Sequence, residues 1–210
     1  MNENLLLIDK PKGITSFDVI RVLRKKLSIK KMGHSGTLDP LASGLMLIGV
    51  NEGTKQLKDL IGLPKKYTTE ILLGVQTETG DMEGEIIEKK PIPELDQEKI
   101  KSVLKEMEGS IDLYVPLYSA IKKEGKPLYK YAREGKKVEV PLKTMHILDA
   151  TLFSFNNDTL EIEFNVKSGT YIRSIAEELG RRLGTVATVK NLRRTSIGDY
   201  SIDDAEKLDL

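Results

Sequence analysis

Twelve residues of this 210-residue chain concentrate groups that can do chemistry: Gly33-His-Ser-Gly-Thr-Leu-Asp-Pro-Leu-Ala-Ser-Gly44. Three glycines, a proline, one of only two histidines and a carboxylate, Asp39, share this short polar loop. An aspartate before proline ordinarily forms an Asx turn or caps a helix, and alone Asp39 would do no more. Ser35 and Ser43 lie too close in sequence to His34 and Asp39 for a hydrolytic triad, whose members converge from separate elements. No G-x-S-x-G elbow is present. A metal centre is not expected, because His34 and His146 lack H-x-x-x-H spacing and the chain has no cysteine. Nor does Gly-Lys-Ser/Thr follow the loop, as a phosphate-binding P-loop requires.

Other clusters are weak one by one. Lys65-Lys66-Tyr67 puts an aromatic after two cations. Lys167–Ala176 carries Tyr171 and Arg173, two apart at a helix start, so both cannot lie on its inward stripe. Asn191-Leu-Arg-Arg-Thr195 follows near the end. Together they supply a carboxylate, an arginine that would keep it ionised, aromatic faces for an unstacked base and cations for phosphates. That set suits chemistry on a flipped nucleotide better than hydrolysis.

Charge is segregated although the net charge is only +1. Arg21–Lys31 holds six basic residues and no acidic ones, and residues 122–137 hold seven basic against Glu124 and Glu134. Between Glu78 and Asp112, eleven acidic residues face five basic ones. A positive face would steer a polyanion toward the molecule. The absence of cysteine fits a reducing compartment, and no apolar run has signal-peptide or membrane-spanning length. A cytoplasmic protein without membrane contact is expected.

Periodicity predicts the elements that must position these groups. Leu5–Ile8 reads as a strand ending in a turn at Asp9–Gly13. Ser16 is expected to cap a helix with Asp18 in its first turn and Phe17, Ile20, Leu23 and Leu27 inward. Leu45–Val50 reads as a buried strand, Tyr67–Leu73 as a strand and 96–108 as a helix. Leu160, Ile162, Phe164 and Val166 alternate with polar residues as in a half-buried strand. A helix then follows Gly169-Thr170, with Ile172, Ile175, Ala176, Leu179 and Leu183 inward. Irregular mixing of strands and helices favours α+β around a largely antiparallel sheet, with residues 110–140 as a surface insertion.

The chain resembles a known family in seven motifs taken in order. These are L-x-x-x-D-K-P-x-G-x-T-S (5–16), G-H-S-G-T-L-D-P-L-A-S-G (33–44), K-K-Y (65–67) and Y-S-A-x-K (118–122). G-x-x-L-Y-x-Y-A-R-x-G (125–135), S-G-T-Y-I-R-S (168–174) and L-R-R-T (192–195) complete the set. The pattern is similar to that of the TruB-type tRNA pseudouridine synthases. The resemblance implies isomerisation of the T-loop uridine conventionally numbered 55 to pseudouridine, without metal or cofactor. It implies one α+β pseudouridine-synthase domain over residues 1–210, with a central mostly antiparallel sheet flanked by helices. A tRNA-binding insertion near 110–140 and no C-terminal PUA domain are also expected.

Carried over by motif, Asp39 is the catalytic aspartate, Arg173 its partner and Tyr67 the residue that stacks on the target base. His34 contacts the RNA, and Tyr171 and Leu192 line the base pocket. Lys122, Lys123, Lys126, Lys130, Arg193 and Arg194 are expected at the RNA backbone. The aspartate could attack the nucleotide covalently or remove a sugar proton to give a glycal. The expected partner is the tRNA T-arm, with the protein a monomer needing no protein partner. A guide-RNA-dependent synthase subunit and a tRNA-folding binding protein are the alternatives. The chain departs from the pattern at Leu113 and Val115, where Gln and Pro are usual, and at Ser35 and Ser43, where Thr is common.

Overall fold

A computed structural model describes residues 4–208. The first half of the chain forms β1 (Leu5–Lys10), α1 (Ser16–Leu27), β2 (Met32–His34), β3 (Ser43–Val50), α2 (Leu57–Ile61) and β4 (Lys65–Leu73). It continues through β5 (Val75–Thr77), β6 (Ile86–Lys89), α3 (Gln97–Met107) and β7 (Gly109–Tyr114). The short β8 (Lys122–Lys123), β9 (Lys126–Pro127) and α4 (Leu128–Arg133) come next. The chain closes with β10 (Leu142–Asn156), β11 (Thr159–Val166), α5 (Ile172–Arg182), β12 (Ala187–Ile197), β13 (Tyr200–Ser201) and β14 (Glu206–Lys207). This is the expected α+β arrangement. No described helix is long and apolar enough to cross a membrane.

The chain divides into two compact units, and it passes between them within β4, β11 and β12 and once between Ser168 and Gly169. The first comprises residues 4–69, 163–168 and 191–208. Here β3 is the central strand, with all eight residues buried. It pairs antiparallel with β1 and β2 and parallel with β12, at Arg193↔Ser43 and Arg194↔Gly44. Leu5, Leu45, Leu47, Leu60 and Ile197 form its apolar core. The second unit comprises residues 70–162 and 169–190. Its β7 pairs antiparallel with β10 from Gly109↔Ile147 to Tyr114↔Leu142. Helix α3 packs on β10 through Ile100, Val103, Leu104 and Met107, all buried.

The sequence expectations hold for most elements; two boundaries and the buried face of α1 are corrected. Strand β1 runs on through Asp9 and Lys10, which were expected to form a turn. Thr15, not Ser16, caps α1: its hydroxyl accepts from Asp18 N at 3.1 Å, and Asp18 returns to Thr15 N at 2.8 Å, a capping box. Ser16 is instead the first inward residue, so the buried stripe is Ser16, Val19, Ile20 and Leu23. Phe17 and Leu27 are turned outward, 55% and 41% exposed. Arg21 and Arg24 place their guanidinium carbons 5.8 and 5.9 Å from the Phe17 ring centroid.

Where β3 begins, Gly44 has φ +111°, and a Cβ there would stand 2.2 Å from the Arg194 carbonyl oxygen. No L side chain fits both constraints. Gly44→Ala should therefore destabilise the protein by more than about 2 kcal/mol. Urea unfolding of the variant beside wild type measures this, and a loss below 0.5 kcal/mol, roughly the scatter of surface substitutions, would contradict it.

Candidate functional site

The loop 35–42 is stretched between two neighbouring strands. Its start is fixed by the β2–β3 pairs Gly33↔Gly49 and His34↔Ile48, and its end by Ser43 at the head of β3. Within it, both neighbours of Asp39 are gripped. Ser16 accepts from Leu38 N at 2.8 Å and donates to Leu38 O at 3.0 Å. On the other side, Pro40 O accepts from Gly13 N at 2.8 Å and from Lys10 Nζ at 3.4 Å. Ala42 N closes a turn on Asp39 O at 3.1 Å. Lys10 is fully buried and also donates to Pro11 O and Ile14 O, at 2.9 and 2.8 Å. The N-terminal D-K-P-x-G-x-T-S motif is thus the clamp that sets where Asp39 stands. A residue held on both flanks keeps its geometry when substrate arrives.

Beneath the loop lie two buried cations. Arg194 is 1% exposed, and donates from Nε to Leu45 O at 2.7 Å and from Nη2 to Gly36 O at 3.3 Å. Lys65, also buried, donates to Ile61 O at 2.8 Å and Leu63 O at 2.6 Å. Burial, and then the Arg194 charge, push the Lys65 ammonium down to about 8 and move the His34 imidazole below its ordinary value. His34 therefore stays neutral near pH 7.

Of the other expected site residues in this unit, Tyr67 lies on β4 and Leu192 on β12, both buried. Thr69 Oγ1 donates to Asn191 O at 2.8 Å, joining those strands. Arg194 was expected at the RNA backbone, and its burial corrects that expectation: its guanidinium bonds one carbonyl of the loop, Gly36 O, and one at the head of β3, Leu45 O. Arg193 forms a bidentate pair with Asp9, at 3.0 and 2.8 Å, so its planar fork ties β12 to β1.

In the second unit Arg173 is buried on the first turn of α5. Its Nη1 donates to Thr79 O at 2.8 Å, its Nη2 to Tyr118 O at 3.0 Å, and its Nε lies 3.8 Å from Asp81 Oδ2. Tyr171, the N-cap residue, is half-buried, with Lys143 Nζ 5.8 Å from its ring centroid. Asp81 is a residue the sequence reading missed. It is 3% exposed, and its Oδ1 accepts from Thr79 Oγ1 at 2.6 Å and Glu83 N at 3.1 Å. Its signal was the compact turn Thr77-Glu-Thr-Gly-Asp-Met-Glu-Gly84, hidden inside an acid-rich stretch read only as a negative face. Asp81 balances the buried guanidinium and fixes the turn on which it rests.

The four lysines differ. Lys122 and Lys130 are exposed, whereas Lys123 is bonded to Glu139 at 3.2 Å and Lys126 to Glu134 at 2.5 Å. Among the described residues, no three His, Asp or Glu side chains gather as a metal site.

The depressed Lys65 sets a pH dependence. In the unfolded chain this ammonium titrates near 10.5, and in the folded protein near 8. Between those values the unfolded state binds more protons, so stability rises with pH, by up to about 1.4 kcal/mol per unit. Below pH 8 the full penalty stands. Replacing Lys65 by Met should remove this alkaline rise relative to wild type, as read by urea unfolding at pH 7, 8.5 and 10. Parallel pH profiles would show that Lys65 is not the source.

The family model for the TruB family pseudouridylate synthase (N terminal domain) matches residues 24–172. The chain is 43% identical to the tRNA pseudouridine synthase B of Bdellovibrio bacteriovorus, over 98% of this chain and 67% of that protein. It is 44% identical to the protein of the same name from Fusobacterium nucleatum, over 96% and 70% respectively. Among solved structures, a chain of a Cbf5-Nop10-Gar1 complex superposes with a TM-score of 0.76 at 28% identity. That match covers 98% of this chain, which spans about half, 52%, of the other.

Proposed function

Because the chain belongs to the TruB family of pseudouridylate synthases, we propose that it isomerises a uridine of tRNA to pseudouridine, with Asp39 as the reacting carboxylate. The observation that carries this reading is the two-sided grip on Asp39, in a segment that the family model covers. The reaction breaks the bond from N1 of uracil to C1′, turns the base and joins C5 to C1′. The C5 proton leaves and N1 gains one, so no atom is lost and no electron is exchanged. An anion placed against sugar and base suffices, either as nucleophile or as base. Asp39, held on both flanks through Leu38 and Pro40, is suited to stay in place as the base arrives.

The remaining assignments follow the same reading. The target is the T-loop uridine at position 55, taken out of its stack into the site. Tyr67 stacks on it, Tyr171 and Leu192 wall the pocket, and His34, neutral, contacts the RNA. Arg173 keeps the aspartate ionised and oriented. Lys122 and Lys130, which are exposed, attract phosphates. The alternative of a guide-RNA-dependent subunit has weaker support. Identity to the Cbf5 chain is 28%, against 43–44% for the tRNA pseudouridine synthases B.

The test uses unmodified tRNA transcript, with pseudouridine quantified by nuclease digestion and mass spectrometry. Wild type should convert one T-loop uridine per tRNA without a guide RNA. Asp39→Asn should bind tRNA within about twofold of wild type while losing at least roughly 10³ in single-turnover rate, since it lacks the reacting anion. Conversion by Asp39→Asn at a tenth of the wild-type rate or more would refute the assignment. Tyr67→Leu should weaken productive binding by ~1–3 kcal/mol, the worth of one stacked base, whereas Tyr67→Phe retains it. Equal KM values for the two Tyr67 variants would remove the stacking role.

A further inference from the structure

Helix α1 turns Ser16, Val19, Ile20 and Leu23 inward, and that buried stripe is complete without Phe17. The Phe17 ring is instead 55% exposed, with Arg21 and Arg24 following it at i+4 and i+7 on the same outer face. Their guanidinium carbons stand 5.8 and 5.9 Å from the ring centroid. Each guanidinium is also held by an acceptor of its own. Arg21 Nη2 is bonded to the Asp18 carboxylate, and Arg24 Nη2 donates to Met32 O at 3.3 Å. A single exposed phenylalanine is ordinary on a protein surface. Here two cations, already ordered by other bonds, flank an aromatic face that solvent still reaches, so a ligand of that face meets a preorganised site.

The stripe is joined to the loop that carries Asp39 at both of its ends. Ser16, one residue before Phe17, accepts from Leu38 N and donates to Leu38 O. Met32, which holds Arg24, opens the strand β2 that ends at His34. Charge along this segment has one sign. No acidic residue lies between Asp18 and Asp39, and Lys25, Lys26 and Lys30 are exposed. Cations around one open aromatic ring are complementary to a nucleic-acid strand, whose phosphates meet the charge and whose bases meet the ring. Taking one base out of its stack uncovers the faces of its neighbours, and an unpaired base stacks readily on an aromatic side chain.

We infer that Phe17 is a stacking platform for an unpaired tRNA base other than the target uridine, with Arg21 and Arg24 holding the adjoining phosphates. The inference deepens the proposed function, and it rests on that reading for the identity of the RNA. It assigns to Phe17 no contact with the reacting atoms.

The chain has no tryptophan, so Phe17→Trp introduces a single indole. In the Asp39→Asn background, which keeps the RNA unmodified during titration, its emission should be quenched by a T-arm hairpin. A duplex of the same stem, with phosphates but no unpaired base, should quench it far less. Equal quenching by the two RNAs, or quenching by neither, would overturn the inference.

Affinity for tRNA transcript, measured in the same background, gives a second readout. Phe17→Ala and Phe17→Leu should each raise Kd at least about fivefold, the low end of what one stacked base is worth, and Phe17→Trp should stay within about twofold. Leucine keeps apolar bulk and loses the aromatic face, so binding by Phe17→Leu equal to that of its parent would refute stacking. Phe17→Ala binding like its parent would do the same. Because the ring is exposed, urea unfolding midpoints should hardly move, which separates lost binding from lost structure. Absence of pseudouridine from the wild-type reaction would instead refute the proposed function, and the titrations, which need no turnover, would still decide the role of Phe17.

Discussion

The structure of the first unit depends on two hydroxyl-to-backbone bonds at Leu38 and two donors on the Pro40 carbonyl. A loop rich in glycine and proline has no ladder of its own, so its shape must come from groups outside it. Ser16 and Lys10 supply it from β1 and the start of α1, segments more than twenty residues upstream. The capping box of Thr15 and Asp18 matters for the same reason. It fixes the first turn of α1, and with it the Ser16 hydroxyl that holds Leu38. A helix cap is thereby linked, through one buried serine, to the placement of a carboxylate.

The floor of the loop shows why basic residues near a proposed RNA site need not touch RNA. Arg194 and Lys65 are buried, and their bonds run to backbone carbonyls. Dipoles of carbonyl oxygens solvate a cation without cancelling its charge, so the field it casts persists. Lysine in place of Arg194 could not span Leu45 O and Gly36 O from one planar group. Gly44 completes this arrangement. Its missing side chain lets β3 lie against the Arg194 backbone, which brings the guanidinium under the loop.

Much of this was legible in the sequence. The strict alternation of 159–166 and the apolar run 45–50 gave β11 and β3, and the polar start at Asp96 gave α3, whose cap is Asp96. The candidate loop stood out because its composition suits no helix or strand. What could not be read was which hydrogen bonds reach across long separations. Ser16 looked like a cap, since local chemistry favours that use, and Leu38 lies twenty-two residues away. Arg194 looked like a surface cation because arginine usually is one. Asp81 vanished among its acidic neighbours, as charge counts over a window erase a single buried member.

Arg173 and Arg194 show two ways to hold a guanidinium in the interior, with different consequences. Arg194 bridges the loop at Gly36 O to the strand it runs into at Leu45 O, so it acts as a strut. Arg173 is held by carbonyls from two separate segments, with a carboxylate, Asp81, beside its Nε. Orientation is then fixed at three corners of a planar group. The 3.8 Å separation from Asp81 Oδ2 is long for a hydrogen bond yet close for an ion pair, so Asp81 steadies the cation more than it neutralises it. A bidentate pair such as Arg193 with Asp9 instead fixes its guanidinium through a single carboxylate.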